Sequence, residues 1–123
     1  MLYAYKQWDK SIEVADNPVA GLLKRARALI EWEEDWCPCG WGDDTGPKCG
    51  QHALVAAYRS AAHRRVQIAD IPPGVYWQAH QYLNKSVGGS FGDYNDTHTH
   101  AEVLARFDDA IALAARHYEG QGA

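Results

Sequence analysis

All three cysteines of the chain fall in one stretch, Trp36–His52 (WCPCGWGDDTGPKCGQH), together with one of its six histidines. Cys37, Cys39, Cys49 and His52 have the composition of a Cys3His site, in which thiolates and an imidazole surround Zn²⁺ tetrahedrally. Cys49 and His52 are three residues apart, so on the first turn of a helix both can face one point. Cys37 and Cys39 lie among glycines and a proline that let the chain fold back to meet them. Their single-residue spacing is tighter than the usual zinc knuckle, which leaves about two residues between its cysteines. The chemistry this stretch predicts is one structural zinc ion. The alternative is packing, with Cys37 and Cys49 as small buried hydrophobes and His52 as an exposed first-turn residue. A third chemistry is nucleophilic: the helix start lowers the Cys49 pKa, and His63, His80, His98 or His100 serves as base. No local motif selects one of these histidines.

A second polar cluster runs from Phe91 to His100 (FGDYNDTHTH). Asp93, Asp96, His98 and His100 are ligand types for a divalent ion. Turn chemistry accounts for the same residues without a metal: Asn95 and Asp96 are turn formers, and Thr99 is a helix cap. His63 and His117 fall near helix C-terminal ends, where an imidazolium is favoured.

Four helices are expected to carry these loops. Asn17 and Pro18 have the residue types of an N-cap and first helical position. Val19, Leu22, Leu23, Ala26, Leu29 and Ile30 then follow helical spacing up to about Trp36. Lys24, Arg25 and Arg27 fall largely off that face. Gly46-Pro47 reads as the start of the second helix, which runs to about Arg65 with Leu54, Val55 and Tyr58 inward. Pro72-Pro73 launches the third, with Val75, Ala79, Tyr82 and Leu83 buried and Trp77 half exposed. Gly88-Gly89 ends it and opens a second long loop. Thr99 and Glu102 have capping-box spacing at the head of the fourth helix, which buries Val103, Leu104, Phe107, Ile111 and Ala114. Residues 1–15 form an N-terminal arm whose short pattern fits strand and helix equally. The fold class is therefore all-α: a small four-helix domain over 1–123 with two long loops and an arm.

Composition narrows the function. At 123 residues, 46% hydrophobic and 23% charged, the chain is one globular domain. Its net charge of −4 argues against a dedicated nucleic-acid binder, although Lys24, Arg25, Arg27, Arg59, Arg64 and Arg65 could form one basic patch. No apolar run reaches membrane-spanning length and no leader is evident, so a cytoplasmic protein is expected. An odd cysteine count fits a reducing compartment. No coherent catalytic constellation emerges. The aromatics of the two loops, Trp36, Trp41, Phe91 and Tyr94, are the residue types that anchor protein interfaces.

Two segments carry a resemblance. One runs from Ala28-Leu29-Ile30 to Trp36-Cys37 and then to Cys49-Gly50 at the head of an Ala-rich helix. The other is Tyr94-Asn95-Asp96, Thr99, Glu102-Val103-Leu104 and Phe107-Asp108. Over residues 18 to 114 this is similar to a family of small uncharacterised helical domains from actinobacteria and their phages. Tyr94 stands where that pattern has tryptophan, and Cys39 and His52 are outside it. The resemblance implies that Cys37 and Cys49 pack together and that the chain is an actinobacterial or phage accessory protein, in the host cytoplasm if phage-encoded. Taken together, the expectation is a small non-enzymatic binding or regulatory protein that engages a protein partner through its aromatic loops. The alternatives are a zinc-stabilised domain and a small metal-dependent or cysteine hydrolase.

Overall fold

Asn17 opens the first helix by accepting a hydrogen bond from Ala20 N on its side chain at 3.1 Å, one of the donors a helix start leaves without a partner. The helix it caps, α1, is Pro18–Leu29. In a computed structural model the described residues form four more helices, α2 (Gly50–His63), α3 (Pro73–Val87), α4 (Phe91–Thr97) and α5 (His100–Gly122), with a 3-10 turn at Glu33–Asp35. The structure describes residues 17–38, 46–63 and 73–122. The expected N-terminal arm, Cys39, Trp41, Arg64 and Arg65 lie outside them. No helix among the described residues is long and apolar enough to cross a membrane.

The fold is all-α. α1 packs against α2, α3 and α5, α3 lies along α5, and α4 touches α2, α3 and α5. Leu22, Leu23, Ala26 and Ile30 meet Leu54, Ala57, Ala79, Leu83, Phe91, Val103 and Phe107 in one core. Because α1 is enclosed on three sides, Arg25 is buried rather than on a solvent face. Arg27 pairs with Asp108 on α5 at 2.8 Å. Burial of one cation and pairing of another leave little of the basic row expected on α1.

The helix boundaries show where tertiary contacts override local pattern. α1 stops at Leu29 instead of continuing toward Trp36. The carbonyl of Ile30 accepts from His100 Nε2 at 2.6 Å, and Ile30 itself is buried. α2 starts at Gly50, not at Gly46-Pro47. Lys48 is extended instead, bridged in parallel to Trp36: its N–H donates to Asp35 O and its carbonyl accepts from Cys37 N, both at 3.1 Å. Backbone groups so engaged cannot enter a helical turn.

The second expected long loop is largely helix α4, which makes five helices among the described residues where four were expected. Ser90 caps it by accepting from Asp93 N at 3.3 Å. Asn84 accepts from Phe91 N at 2.9 Å, and Phe91 is wholly buried. The sequence there is poor in helix formers, so packing supplies what propensity does not. Gly88, at φ +72°, ends α3 in the left-handed conformation that glycine adopts without a steric penalty. The capping box at α5 is formed in both directions, Glu102 N to Thr99 Oγ1 at 3.2 Å and Thr99 N to Glu102 Oε1 at 2.9 Å. That backbone donor holds the Glu102 carboxyl below its ordinary pKa.

Candidate functional site

The residues singled out by type and spacing converge on Asn95. Its side chain is completely buried. The carboxamide oxygen accepts from the Trp36 indole Nε1 at 2.8 Å and from Gly50 N at 2.9 Å. The carboxamide nitrogen donates to the Cys37 carbonyl and to Asp96 Oδ1, both at 3.3 Å. One side chain on α4 therefore ties the segment after α1 to the first residue of α2. The Gly50 N–H it satisfies is one of the orphan donors of that helix end. A second is met by Cys49, whose sulfur accepts from His52 N at 3.3 Å.

Gly50 is where the packing is tightest. A Cβ there would stand 2.7 Å from Cε2 and Cζ of Phe91 and 3.2 Å from Phe107. The two phenyl rings meet edge to face, with centroids 5.4 Å apart and planes at 87°, the geometry that ring quadrupoles favour. Phe91 is thus a core residue and not the exposed loop anchor expected of it.

The four expected zinc ligands are placed as follows. Cys49 is a buried free thiol, and His52 is 1% exposed, not the exposed first-turn residue of the packing alternative. Cys37 is partly buried and disulfide-bonded. Cys39 is outside the described residues. Among the described residues no three His, Cys, Asp or Glu side chains are grouped to hold a metal. Burial pushes the Cys49 thiol above its ordinary pKa, which is the reverse of the activation a nucleophilic cysteine needs. The opposing backbone donors at the helix start are the smaller influence.

The cluster from Asp93 to His100 is occupied by its own contacts. His98 stacks on Tyr94 with centroids 3.6 Å apart, and its Nδ1 donates to the Tyr94 carbonyl at 2.9 Å. His100 faces the Trp36 ring at 5.5 Å while binding Ile30. Of the expected partner-binding aromatics, Trp36 and Tyr94 are partly buried and packed on the core, Phe91 is inside it, and Trp41 is outside the described residues.

Sequence reasoning missed two features. Asn95 was legible as a turn former and as one residue of a family-like pattern, but nothing local marks a carboxamide that bonds 45 to 59 residues away. The other is an aromatic surface on α2 and α3. Trp77 is 62% exposed and meets Tyr76 edge-on at 5.0 Å, while Tyr76 faces Tyr58 at 5.8 Å. Val55, Tyr58, Arg59, Tyr76 and Trp77 line a groove of about 360 Å³. His80 packs behind Trp77 and Tyr76, and its burial lowers its pKa.

No curated protein matches the chain, and no solved structure matches it. Residues 14–113 match a protein family described only as one of unknown function, DUF6197. That match spans most of the 123 residues, including Trp36, Cys37, Cys49, Gly50, Asn95, Thr99 and Glu102, so the chain belongs to the DUF6197 family.

Proposed function

We propose that this chain is a small non-enzymatic binding protein, of actinobacterial or phage origin, that holds a protein partner on its aromatic surface. The observation that carries the reading is Trp77, 62% exposed at the edge of a groove it shares with Tyr58 and Tyr76. Tryptophan and tyrosine beside an arginine are the residue types in which binding energy concentrates. The contact surface so assigned is the α2–α3 face, whereas the loop aromatics Trp36 and Tyr94 act chiefly as internal packing. Trp77→Ala removes a side chain that is mostly exposed and lies outside the buried core. It is expected to leave the melting temperature unchanged and to weaken partner capture from an actinobacterial lysate about tenfold or more. An unchanged set and amount of captured protein overturns the reading.

A structural zinc ion on Cys37, Cys39, Cys49 and His52 is the second reading. It is supported by Cys49 and His52, both buried one turn apart, and by the bridge from Cys37 N to Lys48 O that draws the two loop ends together. It requires Cys37 in its reduced form, since only a thiolate ligates. Native mass spectrometry of untagged, reduced protein is expected to show one zinc per chain, released on denaturation. A mass equal to the bare chain, with a melting temperature indifferent to chelator, overturns it.

A further inference from the structure

Gln78, Gln81, Tyr82 and Lys85 form one stripe along α3 and, with His117 of α5, line a groove of about 380 Å³. This volume lies within the range of small-molecule sites. None of the five side chains is a carboxylate. Lys85 has no ion-pair partner among the described residues. Tyr82 and His117 are joined by a 2.6 Å hydrogen bond between the phenol oxygen and Nδ1, and their rings meet edge-on at 5.5 Å. This bond leaves a proton to offer in either tautomer. If the phenol donates to Nδ1, the imidazole carries its proton on Nε2. If Nδ1 donates, the phenol O–H is released. The groove thus combines one ammonium, one imidazole–phenol pair and two carboxamide donors.

We infer that the groove between α3 and α5 binds the phosphate group of a small molecule. The charge is set by Lys85, which supplies a cation with no acid beside it among the described lining residues. The shape is set by the donors, which are separate and come from two helices. No guanidinium fork lies among them to suit a planar carboxylate, and separate donors fit a tetrahedral oxyanion approached from several sides. Lys85 contributes the counter-charge, His117 or Tyr82 the directional donor, and Gln78 and Gln81 neutral donors to the remaining oxygens. This site uses none of the residues assigned to partner binding, so the two assignments stand or fall separately.

Inorganic phosphate and a simple sugar phosphate are the probes, titrated into the full chain and followed by NMR at the His117 ring. Sodium chloride at matched ionic strength is the control for screening. A saturable shift is expected with both phosphates and not with chloride or acetate. Lys85→Gln keeps most of the stem and removes the charge. This variant is expected to weaken binding about tenfold, with the melting temperature in phosphate-free buffer unchanged, since its side chain is exposed. A shift that tracks ionic strength alone, or equal phosphate binding by Lys85→Gln, overturns the assignment.

Discussion

Replacing Asn95 by alanine is expected to lower the unfolding free energy by about 3–5 kcal/mol, a large share of what a domain of this size has. The loss does not come from the volume removed. Asn95 is wholly buried, and its oxygen accepts from two donors held in place by other elements, the Trp36 indole N–H at 2.8 Å and the Gly50 N–H at 2.9 Å. Removing the acceptor leaves both donors in the interior, each at a cost of about 1–3 kcal/mol. The Cys37 carbonyl also loses its donor. Asn95→Asp makes the discriminating comparison. It retains an acceptor for Trp36 and Gly50, forfeits the donation to Cys37, and sets a carboxylate next to Asp96. Urea denaturation measures the difference, read as a fall in midpoint at constant slope. The Trp36 indole N–H resonance reports whether that ring has left its partner. A loss of under about 1 kcal/mol in Asn95→Ala would show that the donors find water or other acceptors.

Gly50→Ala is expected to destabilise by about 2–3 kcal/mol, against the usual gain of about 0.5–1 kcal/mol when a helical glycine becomes alanine. The reversal follows from space. The added methyl would stand 2.7 Å from two atoms of the Phe91 ring, and Phe91 is itself held edge-on by Phe107. Close-packed rings cannot yield by that amount without leaving their rotamers. Phe91→Leu in the same chain shortens the obstructing group and is expected to recover part of the loss, giving a coupling of at least about 1 kcal/mol in a double-mutant cycle. Gly74→Ala is the internal control, since a Cβ there meets nothing within 4 Å, and it is expected to be neutral or mildly stabilising. Additive effects of Gly50→Ala and Phe91→Leu would mean that the strain is relieved elsewhere in the chain.

The two substitutions act on one structural knot. Trp36-Cys37, Cys49-Gly50, Asn95-Asp96 and the Thr99–Glu102 capping box are far apart in sequence. They meet where α4 bridges the start of α2 to the segment after α1. These same residues lie within the span that matches the family of unknown function. Their work here is to satisfy backbone donors at two helix starts and to hold a buried carboxamide. The exposed groups with spare bonding capacity lie elsewhere, on the outer sides of α2, α3 and α5. An aromatic surface and the Lys85 ammonium, which has no ion-pair partner among the described residues, are found there, which is why both binding assignments concern those faces.

Helix identity was written locally. Asn17-Pro18 and Thr99 with Glu102 start helices because their side chains reach backbone donors within one turn, and Gly88 ends one because its φ needs no neighbour. The apolar spacing of α1, α3 and α5 likewise named Leu22, Leu23, Val75, Ala79, Leu83, Val103 and Phe107 as core, since 3.6-residue periodicity is a property of the chain alone. Contacts between distant segments carried no such mark. Whether Phe91-Gly92-Asp93-Tyr94-Asn95 is loop or helix turned on a buried ring and on bonds donated to Asn84 and accepted from Trp36. Whether Arg25 meets solvent turned on how many helices surround α1. His52 was placed inside rather than out by the way α2 begins, with Lys48 drawn into a bridge and Cys49 into a cap. Residue type and spacing specify what a side chain is able to bind. Which partners it finds, and which side chains are left at the surface with capacity to bind something else, are set by segments that meet only when the chain is folded.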